Sequence, residues 1–251
     1  MTQNDSCAVV VGATGTIGGA ITRKLISRGL RVVGVGRDEL KLKELAATSE
    51  RFIPCRADIG DASAIEAIRA AATGPVKMAV MCAGLPVRGS ALTIEDGGLA
   101  AAANIKVDGI VRLLRAIDVF LVPGSRFVVV TGFLGIEPTR HEAAPGAINA
   151  AVHNLVRQAA DLLGPRGVSV HAVAPGPVDT QRLRNIAQRV ASERGITLEE
   201  ALDEYRQSSP LGTLVTVEQL VWAVNLLLDD EADALHGSTL AMTGGRMRTI
   251  F

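Results

Sequence analysis

The residues best equipped for chemistry fall into two groups. The first is the run Gly12-Ala13-Thr14-Gly15-Thr16-Ile17-Gly18-Gly19, directly after the apolar Val9-Val10-Val11. Glycines in such a turn allow unusual backbone angles and let main-chain amides approach a pyrophosphate, which then sits at a positive helix N-terminus. A glycine turn alone signals only a strand–helix junction. Its place after a first strand, with a second strand about twenty residues on, raises the expectation to nucleotide binding. That second strand ends in Gly34-Val35-Gly36-Arg37. A site for an unphosphorylated ribose needs a carboxylate there to accept from the 2′-hydroxyl. Here Gly36 leaves room and the Arg37 guanidinium can pair bidentately with a 2′-phosphate. NADP(H) is therefore expected over NAD, with Asp38 capping the next helix instead of binding ribose.

The second group follows the apolar run at Val128. Glu137, Arg140, His141 and Glu142 lie on one loop, and His141 has the intrinsic pKa for proton transfer near neutrality. An exposed loop histidine is the plainer reading. Asn149 and His153 stand four apart on one helix and share a face; His153 reads as structural. His171, within a strand, reads as a core or interface side chain. Arg182, Arg184 and Arg189 could clamp an anionic substrate, although their spacing also suits a solvated helix face, and Arg246 and Arg248 invite the same two readings.

Elements that would position these groups can be read from periodicity. Ala8–Val11, Arg31–Val35, Arg51–Cys55, Met78–Cys82, Phe127–Thr131, Ser169–Ala174 and Thr239–Met242 are nearly continuous apolar runs, as expected of strands covered on both faces. Helical patterns alternate with them: Ile17–Arg28, Glu39–Ala47, Ala62–Ala72, one long helix over Glu95–Leu121, Gly146–Leu163 and Val217–Leu228. Strand–helix alternation predicts right-handed crossovers and a Rossmann-type, doubly wound parallel α/β sheet. The polar segment 180–210 predicts two short helices beyond the carboxyl end of the sheet, either as a substrate lid or as a solvated face. With 251 residues and no linker or repeat, a single domain over 1–251 is expected.

Composition excludes several classes. Lys+Arg and Asp+Glu both total 26, which gives no electrostatic footprint for nucleic acid or an acidic membrane. No apolar run reaches the length of a membrane span, and Met1–Ser6 is polar and unlike a signal peptide. Cys7, Cys55 and Cys82 show no paired spacing, so no metal site is expected and a reduced, cytoplasmic setting fits.

Taken in order, these landmarks resemble the short-chain dehydrogenase/reductase (SDR) family, compact branch, over essentially the whole chain. Gly12, Thr16 and Gly18 occupy the family's G-x-x-x-G-x-G positions, with Thr16 in place of Gly; Gly12, Gly15 and Gly18 also match the extended branch's spacing. Ala57-Asp58-Ile59 resembles the turn that contacts adenine, and Met81-Cys82-Ala83-Gly84 stands for Asn-Asn-Ala-Gly. Asn104 matches the family's helix Asn. Ala174-Pro175-Gly176-Pro177-Val178-Asp179-Thr180 matches the loop that holds the nicotinamide amide, and Thr243-Gly244-Gly245 resembles Asp-Gly-Gly. The resemblance thus assigns the cofactor to Gly12, Thr14, Thr16, Ile17, Gly18, Arg37, Asp58, Ile59, Cys82, Ala83, Gly84, Asn149, Pro175, Gly176, Val178 and Thr180, and implies a small-molecule substrate and a homodimer or homotetramer.

The departures from the family are as informative. The catalytic Ser, Tyr and Lys positions hold Gly132, Pro145 and Asn149. In the family the Tyr protonates the alkoxide, the Lys lowers the Tyr pKa and binds ribose, and the Ser holds the carbonyl oxygen. Gly132 has no side-chain donor, Pro145 has neither hydroxyl nor N–H, and Asn149 carries no charge. The chain's one tyrosine, Tyr205, is far downstream in the 180–210 segment. Asn104 and Asn149 remain as weak catalytic candidates able to order water near the nicotinamide ribose. Gly for Ser, the Leu134-x-x-Glu137-Pro138 stretch and Asn for Lys resemble SDR members of the bacilysin-pathway type, which implies conjugate (enone) reduction. Two other readings stay open: a non-redox cyclase or isomerase, and an NADP-binding sensor or partner protein without turnover.

Overall fold

The computed structural model describes residues 6–249; of the polar N-terminal stretch, residues 1–5 lie outside the described part. Seven strands, β1 (Cys7–Val11), β2 (Arg31–Gly36), β3 (Phe52–Arg56), β4 (Val76–Met81), β5 (Arg126–Val130), β6 (Ser169–Pro175) and β7 (Thr239–Met242), form one parallel sheet in the order β3-β2-β1-β4-β5-β6-β7. The order reverses between β1 and β4, which places a ligand crevice beyond the carboxyl ends of those strands.

The apolar runs are continuous because alternate residues serve opposite faces. Val9, Val11 and Val33 pack with Ile68, Leu113 and Val156 on one side of the sheet. Ala8, Val10 and Val32 pack with Ile21, Leu42 and Leu220 on the other. The helices supplying those faces are α1 (Thr16–Ser27), α2 (Glu39–Thr48), α3 (Ala64–Ala71), α5 (Gly109–Ile117), α6 (Ala143–Leu163) and α9 (Val217–Leu226). Asp38 caps α2 as expected, its carboxylate accepting from the Lys41 amide at 3.1 Å.

Two elements depart from the sequence reading. The expected long helix over Glu95–Leu121 is interrupted: α4 (Gly98–Ala103) runs into a π-helical turn, Asn104–Asp108, before α5 begins, and a 3₁₀ turn follows at Asp118–Phe120. A π turn spoils the regular i→i−4 ladder, so backbone carbonyls around it need other donors. Arg112 supplies them: Nη1 donates to the carbonyls of Asn104 (2.9 Å) and Ile59 (3.0 Å), and Nη2 to the Asn104 side-chain oxygen (2.8 Å). The second departure is that α6 starts at Ala143 rather than Gly146, so Pro145 lies in its first turn. There the missing N–H costs no helical hydrogen bond.

Segment 180–210 forms two helices as expected, α7 (Gln181–Arg194) and α8 (Leu198–Gln207). Thr180 caps the first and a Thr197/Glu200 capping box opens the second. Leu183, Ala187, Ala191, Ala201 and Leu202 give the pair a small core of its own.

One buried charge ties the sheet to its C-terminal layer. Arg126, at the start of β5, is fully buried; Nε donates to the Leu227 carbonyl (3.1 Å) and Nη1 lies 3.0 Å from Asp233. Burial adds a cost that these partners offset, together with the Ser169 hydroxyl and the Asp230 carboxylate, each at 3.5 Å. Arg126→Ala strands the Leu227 carbonyl and opens a large void, and should lower unfolding free energy by about 3 kcal/mol or more. Urea denaturation reads this directly, and a loss below about 1 kcal/mol would contradict the account.

Candidate functional site

The crevice at the switch point holds a cavity of about 580 Å³, within the usual range for small-molecule sites. Its floor begins at the glycine turn. Gly12 has φ +87°, and a Cβ on Gly18 would lie 2.2 Å from the Gly12 carbonyl oxygen, so only glycine permits the helix to start this close to the turn. Thr16 is the first residue of α1, and Ile17 lines the cavity. Thr14 leans over Gly36, where a Cβ would come within 3.0 Å of its side chain. A glycine turn of this shape at a helix N-terminus fits a dinucleotide pyrophosphate. Beyond it, Cys82, Ala83 and Gly84 continue the floor; a Cβ on Gly84 would meet nothing within 4 Å, which leaves open space over the end of β4. Pro175, Gly176, Val178 and Thr180 form the facing wall.

At the ends of β2 and β3, Arg37 Nη1 lies 3.7 Å from Asp58, with most of the Arg37 side chain in solvent. The Asp58 carboxylate also accepts from the Gly60 amide at 2.9 Å. Ile59, assigned to the cofactor by resemblance, is a buried core side chain whose carbonyl accepts from Arg112. Thr180 both faces the cavity and caps α7, its hydroxyl accepting from Leu183 N at 3.4 Å.

The three altered positions meet in this cavity. Gly132, Pro145 and Asn149 all line it. Asn104 does not: its amide donates to the Gly60 carbonyl at 2.9 Å and its oxygen accepts from Arg112, on the far side of the π turn. The helix residue that faces Asn149 is Lys106, which sequence reasoning passed over. Lys106 Nζ donates to Asn149 Oδ1 at 2.7 Å, and Thr131 Oγ1 donates to the same oxygen at 3.3 Å. An ammonium can only donate, so the Asn149 oxygen must face Lys106 and its NH₂ must turn toward Gly132. A Cβ on Gly132 would lie 2.6 Å from that nitrogen.

Lys106 differs from the surface lysines. Lys41, Lys43 and Lys77 each have a carboxylate within 4.0 Å, whereas Lys106 has an amide. Desolvation, with help from the nearby Arg182 guanidinium, lowers its pKa to about 8. Burial pushes the neighbouring Cys82 thiol up to about 12, so that thiol stays protonated.

Other candidates divide. His141 and Glu142 line the cavity, with His141 exposed. Glu137 accepts from the Arg248 amide at 2.9 Å instead. Tyr205, remote in sequence, reaches the cavity from α8, and burial raises its pKa. Of the arginine run only Arg182 lines the cavity; Arg184 pairs with Asp179 at 2.9 Å and Arg189 is exposed. Arg246 lies over the Phe133 ring, 4.8 Å from its centroid, at the cavity edge. His153 is structural: Nε2 donates to the Gly132 carbonyl (3.4 Å) and Nδ1 accepts from Thr239 (3.2 Å), while burial lowers its pKa and keeps it neutral. His171 is fully buried, bonded through Nδ1 to the Leu235 carbonyl at 3.1 Å, and desolvation lowers its pKa to about 4.

Comparison with known proteins agrees with this architecture. Residues 12–246 match the family described as Enoyl-(Acyl carrier protein) reductase. The Short-chain reductase protein NovJ of Streptomyces niveus is 29% identical, the match covering 97% of this chain and 95% of that protein. An actinorhodin polyketide ketoreductase solved with NADPH superposes with a TM-score of 0.89 at 26% identity, covering 99% of both chains. An NADPH-bound short-chain oxidoreductase of Pseudomonas aeruginosa PAO1, described as containing an atypical catalytic center, superposes with a TM-score of 0.86 at 25% identity, covering 98% of each. The chain belongs to the short-chain dehydrogenase/reductase family. It is an oxidoreductase of that family, and Gly132, Pro145 and Asn149 stand at the positions that the sequence resemblance assigns to the family's Ser, Tyr and Lys.

Restoring a serine at the first of those positions should therefore fail alone. Gly132→Ser drives its Cβ into the Asn149 amide that Lys106 and Thr131 hold in place. It should cost about 1–3 kcal/mol of stability, as overpacking does. Adding Asn149→Ala should recover most of that loss, and additive effects in the double-mutant cycle would show that the two side chains do not clash.

Proposed function

We propose that the chain is an NADP(H)-dependent reductase of a small molecule with an activated double bond, acting by conjugate reduction of an enone-type substrate. The observation that carries this reading is a dinucleotide cradle that opens directly into a cavity emptied of the family's carbonyl-holding hydroxyl and phenol, at Gly132 and Pro145. When bound, reduced nicotinamide supplies hydride to an electrophilic carbon. Conjugate reduction suits these surroundings because charge then collects on an oxygen remote from the carbon attacked, and the hydroxyl pair that normally grips a ketone is not needed. The enoyl-reductase description of the matching family supports the reading, as do the NADPH complexes of the two structural relatives. Within the chain, Gly12–Gly18 would hold the pyrophosphate, Gly84 and Asn149 would face the nicotinamide ribose, and Val178 and Thr180 would orient the amide. The cavity walls from α6, α7 and α8 would shield the reacting carbon from water.

The preference for NADP(H) rests on Arg37, which is exposed and only loosely paired with Asp58. An ionic hydrogen bond to a 2′-phosphate contributes about 1.5–3 kcal/mol. Arg37→Ala should therefore weaken NADPH binding about 10- to 100-fold and leave NADH binding nearly unchanged. Equal losses for the two, measured by fluorescence titration, would remove this assignment. NADPH oxidation followed with matched enones and saturated ketones tests the reaction. Consumption with enones and not ketones supports conjugate reduction, whereas substrate turnover without NADPH consumption would replace it with a non-redox reaction.

The reading extends to assembly as a dimer or tetramer. Leu162 on α6 and Trp222 on α9 leave 71% and 61% of their surface exposed, large apolar areas for a monomer to present to water. Light scattering is expected to give a mass of two or four chains, and a single-chain mass at micromolar concentration would exclude this.

A further inference from the structure

We propose that Lys106 is the catalytic acid of this enzyme, an ammonium that the π turn presents to the cavity beside Asn149, where it protonates the substrate oxygen. The inference rests on the reductase reading and names the donor that reading leaves open. Two features of the fold converge on this side chain. The π turn at Asn104–Asp108 carries Lys106 into the cavity and leaves Asn104 outside it. Asn149 alone receives it, through an oxygen that also accepts from the Thr131 hydroxyl, so the ammonium is aimed and keeps two further N–H groups for a ligand. The family pairing of a helix amide with a helix ammonium is thus present with its members exchanged: the amide is now on α6 and the ammonium on the preceding helix.

The step balances without another reagent. The substrate carbon takes its electron pair and hydrogen nucleus from the reduced nicotinamide of the proposed function. One N–H bond of Lys106 breaks and an O–H bond forms on the substrate oxygen. An enol product then returns to the ketone by protonation at carbon from water, and the neutral amine regains a proton from solvent.

The groups facing Lys106 are Cys82 from the end of β4, His153 from α6 and Arg182 from α7. Further around the cavity are His141 and Glu142, Tyr205 from α8 and Arg246 from the C-terminal tail. Cys82 and His153 are held neutral by burial, and Tyr205 is pushed further from acidity. Desolvation and Arg182 together make Lys106 a better proton donor than a surface lysine, with a pKa of about 8. The sign follows: an acid must be protonated, so turnover should fall as pH rises through that value and be retained below it.

Two measurements test the assignment. First, cofactor-free protein is labelled competitively with acetic anhydride across pH 6–11 and the lysines are read by mass spectrometry. The Lys106 midpoint is expected near 8, well below the usual lysine range; a midpoint within that range would overturn the proposal. Second, Lys106→Met should lower kcat by about 100-fold or more while NADPH affinity stays within about threefold. Lys106→His should keep part of the activity, with the alkaline limb of its pH profile moved toward the histidine range. Undiminished kcat in Lys106→Met, or loss of turnover in Tyr205→Phe with Lys106→Met active, would overturn it. A wild-type protein that oxidises NADPH with enones while Lys106→Met does so equally well sinks the lysine and spares the reductase reading. A wild-type protein that oxidises none sinks the reductase reading and the acid role with it, whatever the labelling midpoint.

Discussion

The site is organised around one contact, an ammonium held against a side-chain amide with no carboxylate within 4.0 Å among the described residues. A lysine taken partly out of water loses hydration that a carboxylate would ordinarily replace. Here the replacement is the Asn149 oxygen, and using it places demands on the surrounding fold. Asn149 must present its oxygen, so its NH₂ turns to the end of β5, and residue 132 there must be glycine. Gly135 is held by the same helix, since a Cβ on it would lie 2.5 Å from the Asn149 backbone. The helix before β5 carries Lys106 on a π turn, and Arg112 bonds the Asn104 carbonyl at the start of that turn and the Ile59 carbonyl of the loop beside it. The glycine at 132 and the irregular helix meet at the same contact.

Much of the fold was legible because its signals are local. Strands buried on both faces read as unbroken apolar runs, and all seven lie within two residues of the expected bounds. The glycine turn was legible because close approach at Gly12 and Gly18 admits no other residue. The break at Asn104–Asp108 left no such mark, since the apolar spacing on either side is compatible with one continuous helix. Its traces were indirect: Lys106, a lone cation between Ile105 and Val107, and Arg112 eight residues beyond Asn104. Asn104 was singled out by residue type, but Lys106, two positions on, lies on the opposite side of the helix and is the residue that lines the cavity. Tyr205 was set aside for its distance along the chain, which the packing of α7 and α8 makes irrelevant.

The α7–α8 pair has its own small core, its own caps and a bidentate Arg194–Glu204 pair joining its two helices, with N···O distances of 2.6 and 2.7 Å. It behaves structurally as a unit laid over the carboxyl end of the sheet. Most of its arginines are used within it or at its edge, which explains why a run that looked like an anion clamp contributes only Arg182 to the cavity. That one guanidinium matters through Lys106, since a like charge nearby favours loss of a proton from the less hydrated of the two. Arginine does not yield its proton in proteins, so the lysine does.

This asymmetry separates an ammonium acid from a phenolic one. A phenol that gives up its proton leaves an anion, and burial opposes that outcome, as the raised pKa of Tyr205 illustrates. An ammonium that gives up its proton to a developing oxyanion leaves two neutral groups where there were two charges, and burial favours it. The enclosure formed by α6, α7 and α8 would penalise a tyrosine without a neighbouring cation, yet it assists Lys106. With the cation itself as donor, neither a hydroxyl at position 132 nor a phenol at position 145 is required for a proton to reach the substrate oxygen.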